Sequence, residues 1–291
     1  MRRLLVASWS VIALIAALAS PAYATTASLR TAAASKAATP ERILSLSASA
    51  TQMLYTVGAG RQVVGVDKYS MWPADAPRTK FTGYETDAED YLKLHPDFVV
   101  FGSANPKLEG QLRALGIRTL VQGPATTIAG IYAQMEYLGA ITGHAQQAAH
   151  AVAAMRRAIT QEVAAAKNAG KGKSYYIELD PTYYSATSQT FIGAEFSLFG
   201  MRDIADGAAH GTDYPQITKE YLLKANPDYV FLADTVCCQA TATSFGHRAG
   251  LAILKAVRDH HVIPVNDSVA SEWGPHTVEQ FIALIAGVVK R

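Results

Sequence analysis

The longest periodic stretch of apolar positions in this chain lies at residues 143–170 and predicts one long helix. Apolar side chains recur there at three- and four-residue spacing, which places them on one face: Ala148, Val152, Met155, Ile159 and Val163. No proline interrupts the stretch, and Gly170 stands where a C-capping glycine belongs. A helix of this length would span roughly 39 Å, which is the diameter of a small domain.

A sequence repeat flanks this helix. Residues 89–101, EDYLKLHPDFVVF, and residues 220–232, EYLLKANPDYVFL, share Glu, Leu, Lys, Pro, Asp and Val at a constant offset without a gap. Each copy predicts a short helix, a stop at Pro-Asp and a buried strand, because proline disfavours the α conformation in the residue before it. Two similar α/β lobes, at 41–142 and 171–291, joined by a linking helix at 143–170, explain the repeat. Chance similarity of two units in one domain is the alternative.

The remaining apolar runs alternate between strand and helix signals, which is typical of parallel α/β sheets. Ser49 and Gln52 have the spacing of a capping box and predict the start of the first helix. Further strands are predicted at 43–46, 63–66, 119–121, 175–179 and 262–265. Further helices are predicted at 105–115, 191–200 and 275–290, and a long loop at 234–250.

The first 40 residues are predicted to direct export and to lie outside the folded lobes. Residues 1–24 have a basic start, an apolar core too short to span a membrane, and small residues at Ala22 and Ala24, as in a cleavable signal peptide. No cysteine lies near that site, so we expect a soluble periplasmic or secreted protein, released after cleavage near Ala24 and without a lipid anchor. Residues 25–40 are rich in Ala, Thr and Ser and predict a disordered tether.

Charge and motifs exclude several classes of function. Lys and Arg total 26 and Asp and Glu total 24; cleavage removes Arg2 and Arg3, so the mature protein is formally neutral, which argues against nucleic acid or an anionic membrane as partner. The sequence contains no Gly-x-Ser-x-Gly, no phosphate-binding glycine loop and no His-Glu-x-x-His. We therefore predict no catalytic residue, no metal site and no cofactor. A secreted hydrolase using Asp180, His247 or His276 is the alternative.

Aromatic residues cluster on the loops around the predicted strand ends: Tyr69, Trp72, Tyr84, Tyr183, Tyr184, Tyr214 and Trp273. In open α/β sheets, ligands bind beyond the carboxyl ends of the strands. For any one of these residues, the alternative interpretation is a half-buried ring that only packs against its neighbours. Taken together, they predict a cleft between two lobes that binds a large planar or polycyclic ligand by stacking.

Several segments together resemble a known family: RILSLSASATQMLYTVGAGRQVVGVDKYSMWP, the two repeat copies, YPQITKE and WGPHTVEQF. They are similar to the substrate-binding proteins that serve ABC importers for vitamin B12, ferric siderophores and haem, over nearly the whole mature chain. The resemblance implies a non-enzymatic receptor of two Rossmann-like lobes bridged by one long helix, with the ligand in the cleft and little hinge motion. A sensor that binds the same ligand but signals to a membrane partner is a further alternative.

The resemblance also implies a ligand. It places Tyr69, Tyr184 and Tyr214, with Trp72 beside them, at positions that contact the corrin in vitamin B12-binding members. Haem-binding members usually offer an axial tyrosine, sometimes with a histidine, and neither is assigned here. Siderophore-binding members line the cleft with arginines, and only Arg248 is expected near the rim. A metal chelate of the cobalamin type is therefore favoured, with a ferric siderophore or haem as the alternative.

The partner implied by the resemblance is an ABC permease dimer, with this protein as a monomer. Glu89 and Glu220 match the glutamate that each lobe presents to permease arginines, and their equal position in the repeat suits docking on a two-fold partner. Solvated glutamates on a helix face are the alternative.

Cys237 and Cys238 are adjacent: their Cα atoms would be about 3.8 Å apart, below the usual disulfide range of roughly 4.4 Å upward. The sequence does not decide between a strained vicinal disulfide and two free thiols.

Overall fold

The computed structural model describes residues 38–291. The predicted signal peptide, 1–24, and residues 25–37 of the predicted tether lie outside the described residues. At its far end the tether prediction is wrong, because Pro40 is buried and its carbonyl accepts a hydrogen bond from Gln62 Nε2 at 2.6 Å. The fold therefore begins before residue 41. Among the described residues, no helix has the length and hydrophobicity that a membrane span requires.

The first sheet contains four parallel strands in the order β2-β1-β3-β4. They are β1 (Ile43–Leu46), β2 (Val63–Val66), β3 (Phe98–Phe101) and β4 (Arg118–Val121). The helices of this N-lobe are α1 (Ala48–Thr56), α2 (Glu89–Leu92) and α3 (Pro106–Ala114). Every residue of β1 and β3 is buried, as expected for central strands covered on both faces.

Two helices follow the first sheet, α4 (Ile128–Ile141) and α5 (Ala145–Ala165). The two pack closely, and a Cβ at Gly139 of α4 would lie only 2.3 Å from the Ala148 side chain. The apolar face predicted for α5 is buried at Ala148, Val152, Met155 and Ile159. The helix is shorter than predicted at 143–170, because Lys167 and Asn168 adopt left-handed φ values of 48° and 62°. Gly170 is thus not its cap.

The second sheet repeats the strand order of the first, as β6-β5-β7-β8, again all parallel. Its strands are β5 (Ser174–Glu178), β6 (Arg202–Asp203), β7 (Tyr229–Leu232) and β8 (Val262–Pro264). The helices of this C-lobe are α6 (Phe191–Ser197), α7 (Lys219–Ala225), α8 (Ala242–Gly246), α9 (Lys255–Arg258), α10 (Asp267–Ser271) and α11 (Pro275–Val289). The predicted fold class, two parallel α/β lobes, is confirmed. The prediction of a loop throughout 234–250 is wrong, because α8 lies within that range.

The sequence repeat supplies the third strand of each sheet. Before each Pro-Asp, the residue leaves the right-handed helical region, with φ of 46° at His95 and 43° at Asn226. The following aspartate then fixes the neighbouring central strand: Asp97 accepts hydrogen bonds from the N–H groups of Glu41 and Arg42, and Asp228 accepts one from Ser174 N–H at 2.8 Å. Each copy therefore sets both its own strand and the start of the strand beside it.

One hydrophobic core runs through both lobes. It joins Ile43 and Phe98 of the first sheet to Tyr175 and Phe231 of the second through the buried face of α5. The last helix, α11, contacts α5 and α6 and also reaches α1 of the N-lobe. Residues 39–291 accordingly form one compact unit. The domain boundaries at 142 and 170 remain a prediction.

Glu195 of α6 is a buried acid between core residues of the same helix, Ile192 and Phe196. The residue is 1% exposed, and its Oε2 has no hydrogen-bond partner among the described residues. Burial raises the pKa of Glu195 well above its ordinary value. Because the folded-state pKa is the higher one, the protein loses stability as the pH rises above the unfolded-state value of roughly 4.3.

Glu195→Met is therefore expected to stabilise the protein by about 1–3 kcal/mol at pH 8, the usual cost of an unsatisfied buried polar group. The gain should shrink towards pH 4, where the carboxyl is protonated in both states. Urea unfolding at the two pH values measures the difference. Glu136→Met, at an exposed position on α4, is the matched control and should change little. A gain that is equal at both pH values would contradict this account.

Candidate ligand cleft

A cavity of about 550 Å³ opens at the carboxyl edge of the first sheet. Each strand of that sheet contributes lining residues just beyond its end, as expected for an open α/β sheet. Ser47 follows β1, Asp67 and Tyr69 follow β2, and Gly102 follows β3. Three strands therefore place the residue that follows them in the cavity wall, and Pro124 lines it after β4.

Helix α10 and the residues after it form the opposite wall. Asp267, Ser268, Ser271, Glu272 and Trp273 line the same cavity from the C-lobe. A second cavity of about 240 Å³, lined by Tyr214, Phe191 and other residues of the C-lobe, shares Asp267 and Ser271 with the first. The two cavities together are called the cleft below. It lies between the lobes, as the sequence predicts.

The structure brings four of the seven predicted aromatic residues to the cleft. Tyr69, Tyr84 and Trp273 line its larger cavity, and Tyr214 lines the smaller one. Tyr69 is 51% exposed, Tyr84 is 72% exposed and Tyr214 is 43% exposed. Large aromatic surfaces are therefore left uncovered around an open cavity, which suits a stacking ligand.

The other three aromatic residues lie elsewhere. Trp72 stacks on His276, with ring centroids 4.8 Å apart. Tyr183 has a left-handed φ of 70° and packs against the outer core of the C-lobe. Tyr184 is exposed, forms a backbone bridge to Gln216 and lines neither cavity. A position after a strand fixes the loop but not the direction of the side chain. None of these three rings lines either cavity, and their contact with a ligand stays a prediction.

Hydrogen bonds tie the lobes together at the cleft floor. Gln52 of α1 donates from Nε2 to Glu272 Oε2 at 2.6 Å, and its Oε1 accepts from the Thr277 N–H at 3.1 Å. Ser49 Oγ accepts from the Trp273 N–H at 3.0 Å. The predicted capping box is therefore wrong: Ser47 caps α1 by accepting from Ala50 N–H. Ser49 and Gln52 instead hold the C-terminal segment.

Three carboxyl groups of the cleft escaped the sequence analysis: Asp67, Asp267 and Glu272. Asp67 immediately follows β2, a position that could have revealed it. Burial raises the pKa of Glu272 to about 7, with hydrogen bonds from Ser268 and Gln52 opposing and the Asp67 charge adding to the rise. Burial is also the main cause of the raised pKa of Asp67. The cleft is therefore polar and acidic beneath its aromatic rim.

Arg248 does not stand free at the rim. Its guanidinium contacts both carboxylate oxygens of Glu178, each at 2.8 Å. Glu178 is fully buried, and burial raises its pKa to about 7 although Arg248 acts in the opposite direction. The arginine thus compensates a buried acid, and its place near the rim stays a prediction.

Residues considered for catalysis are not assembled in the structure. Asp180 accepts hydrogen bonds from Thr182, His276 bonds to Gln280, and His247 lines a separate surface groove. Within residues 38–291, no group of three or more His, Cys, Asp and Glu side chains is placed to hold a metal ion. Cys237 and Cys238 are free and exposed in the structure, and the Cys237 N–H donates to Asp267 Oδ2 at 2.8 Å.

Glu89 and Glu220 occupy equivalent positions in the two lobes. Both are exposed, and they lie in the first turns of α2 and α7, the helices that lead into β3 and β7. A helix that connects parallel strands runs back across the sheet, so its first turn lies at the carboxyl edge. The two carboxylates therefore lie on the cleft side of their lobes.

Comparison with known proteins gives concordant matches. A family model described as "Periplasmic binding protein" matches residues 43–268. An uncharacterized ABC transporter substrate-binding lipoprotein of Bacillus subtilis is 28% identical over 249 residues, covering 82% of this chain and 77% of the relative. A cobalamin-binding protein of Halobacterium salinarum is 28% identical over 250 residues, covering 82% and 67%.

Solved structures share the fold. The periplasmic vitamin B12 binding protein of Vibrio cholerae has a TM-score of 0.70 and 23% identity, covering 87% of this chain and 98% of that one. A periplasmic haem-binding protein from Roseiflexus sp. RS-1 has a TM-score of 0.75 and 20% identity, covering 86% and 98%. At these identities the likeness concerns the fold alone.

Proposed function

Because the chain belongs to the periplasmic binding protein family, we propose that it captures a corrinoid outside the cytoplasm and delivers it to an ABC importer. The observation that carries this proposal is the cleft between the lobes, with its exposed aromatic rim above hydroxyl and carboxyl groups. Relatives named for cobalamin or vitamin B12 binding support the choice of ligand. Binding and release require no chemical step by the protein.

The chemistry of the cleft suits a corrinoid. A corrin is a large, mostly saturated ring with apolar faces, and Tyr69, Tyr214 and Trp273 offer aromatic surfaces to such a body. Its periphery carries amide groups, which both donate and accept hydrogen bonds. Serine hydroxyls and carboxylates, such as those of Ser268 and Asp267, are matching partners.

Two features weigh against the alternatives. Arg248, which a siderophore or the propionates of haem would need, is engaged by Glu178. The hydrolase alternative uses Asp180, His247 or His276 in the cleft, and none of the three lines either cavity. A sensor that signals to another membrane protein would share the cleft, and uptake measurements separate it from a transport receptor.

Docking on the permease is assigned to Glu89 and Glu220, whose equal positions at the cleft edges of the two lobes support contact with a two-fold partner. We further propose that the protein acts as a monomer. The relative named a lipoprotein shows that anchoring occurs among similar proteins, so release as an unanchored protein stays a prediction.

Calorimetric titration of the purified protein with cyanocobalamin, haemin and a ferric hydroxamate tests the proposed ligand. Binding of cyanocobalamin in preference to both others is expected. Preferential binding of haemin or of the ferric hydroxamate would replace the corrinoid by that ligand. Turnover of ester or glycoside substrates without chelate binding would establish the hydrolase instead.

Tyr69→Ala and Tyr214→Ala should each weaken cyanocobalamin binding by about 1–3 kcal/mol, because each removes a ring from the cleft wall. The titration above measures the change. Tyr137→Ala is the matched control, since Tyr137 is equally exposed but lies on α4 and does not line the cleft. Tyr184→Ala should have the smaller effect expected of a residue outside the two cavities. Unchanged affinity in both the Tyr69→Ala and the Tyr214→Ala protein would show that the aromatic rim does not bind the ligand.

A further inference from the structure

The charged side chains that line the cleft are all acidic. Asp67, Asp267 and Glu272 line it, and among the described lining residues there is no lysine, arginine or histidine. Lys68 lies at the rim with its ammonium 4.8 Å from the centre of the Tyr69 ring, but it is exposed to solvent, where its field is strongly screened. The cleft interior therefore carries a net negative charge.

Asp267 is the fixed part of this charge. It lies where the two cavities meet, and its carboxylate accepts hydrogen bonds from the N–H groups of Val236 and Cys237, both at 2.8 Å. Burial pushes the pKa of Asp267 upward, but these hydrogen bonds outweigh burial and hold it below the ordinary value. The group is thus ionised throughout the neutral range.

Glu272 carries the part of the cleft charge that changes with pH. Its carboxyl faces Asp67 and is held by Gln52 at 2.6 Å. Burial raises the pKa of Glu272 to about 7, so the group is mostly neutral at pH 6 and mostly charged at pH 8. The cleft becomes more negative over that interval.

The start of α1 also opposes this negative charge, because a helix N-terminus carries a partial positive charge of about half an elementary charge. Part of it is already used, since Ala50 N–H donates to Ser47 Oγ and Thr51 N–H donates to Ser47 O. It is therefore smaller than the charge of Asp267 alone, and the carboxylates decide the sign.

We propose that Asp267 and Glu272 make the cleft select corrinoids whose peripheral side chains are uncharged amides and reject chelates that carry peripheral carboxylates. The amide N–H groups of such a corrinoid donate to these carboxylates, whereas a ligand carboxylate meets a like charge in a partly desolvated site. This inference rests on the proposed function and adds which chemical form of the ligand is taken.

The test compares cyanocobalamin with a cyanocobalamin monocarboxylate, in which one peripheral amide is hydrolysed, by calorimetry at pH 6 and pH 8. The two ligands have nearly the same size and shape and differ in one charge. The monocarboxylate should bind about tenfold or more weakly at pH 8, and the ratio should be smaller at pH 6. Glu272→Gln should remove the pH dependence of the ratio, and Asp267→Asn should lower the ratio at both pH values.

Glu162→Gln on α5 is the control, because it removes a carboxyl that does not line the cleft. Near-wild-type thermal unfolding identifies variants that are folded. If cyanocobalamin binds but the monocarboxylate binds equally well at pH 8, or both substitutions leave the ratio unchanged, the charge selection is overturned and the proposed function stands. If cyanocobalamin does not bind at all, both are overturned.

Discussion

Replacing Glu89 and Glu220 together by arginine is expected to abolish ligand uptake through the cognate importer while leaving ligand affinity unchanged. Both side chains are exposed and lie in first helical turns at the cleft edges of their lobes. Neither lines the cleft, so binding of the ligand should not change. At the proposed docking contacts, the new arginines would meet like charges of the permease, and like charges across an interface cost several kcal/mol.

Uptake of labelled cyanocobalamin into cells or proteoliposomes that contain the importer measures the effect. Glu136→Arg with Glu162→Arg is the matched control, because it makes the same change in net charge on α4 and α5. Each single glutamate variant should be partly active, since one docking contact remains. Wild-type uptake by the Glu89→Arg, Glu220→Arg protein would show that docking lies elsewhere.

Ala154→Pro in α5 is expected to destabilise the protein by about 3 kcal/mol or more and to weaken ligand binding from a distance. Residue 154 is exposed and lies in the middle of the helix. Proline there removes one helical hydrogen bond and clashes with the carbonyl of His150, which would kink α5. Since the buried face of α5 joins the cores of both lobes, a kink would shift the two walls of the cleft relative to each other.

Ala154→Gly is the matched control, with an expected cost of about 1 kcal/mol and no kink. Urea unfolding gives the stability change, and titration under native conditions gives the affinity. A proline variant that binds the ligand as tightly as the glycine variant would contradict the role of α5 in aligning the cleft.

The sequence predicted the sheets better than the site. β1, β2, β3 and β7 are short, mostly apolar and mostly buried runs between turn signals, so the sequence indicated their positions. Helix α4 was missed because it is apolar on most sides and lacks a clear polar stripe. Helix α10 is only five residues long, DSVAS, and has no periodicity to detect.

The same limits explain the site. Tyr69 and Tyr214 were found because an aromatic residue near a strand end or on an adjoining loop is conspicuous. Asp267 and Glu272 were not, because their place in the cleft depends on α10 and on the contact of Gln52 with Glu272 across 220 residues of sequence. Such a contact between distant segments leaves no local pattern.

The positions of the tryptophans give the protein an intrinsic optical probe. Trp9 lies in the predicted signal peptide, and the other two, Trp72 and Trp273, lie where the lobes meet: Trp72 stacks on His276, and Trp273 donates from Nε1 to Gln134. The tryptophan emission of a chain without the predicted signal peptide would then come from the lobe junction. Burial lowers the pKa of His276, so quenching of Trp72 by the imidazolium is confined to acidic solution. Near neutral pH and without ligand, a change in tryptophan emission therefore reports a rearrangement between the lobes without any attached label, whereas a ligand stacked on Trp273 would change the emission directly.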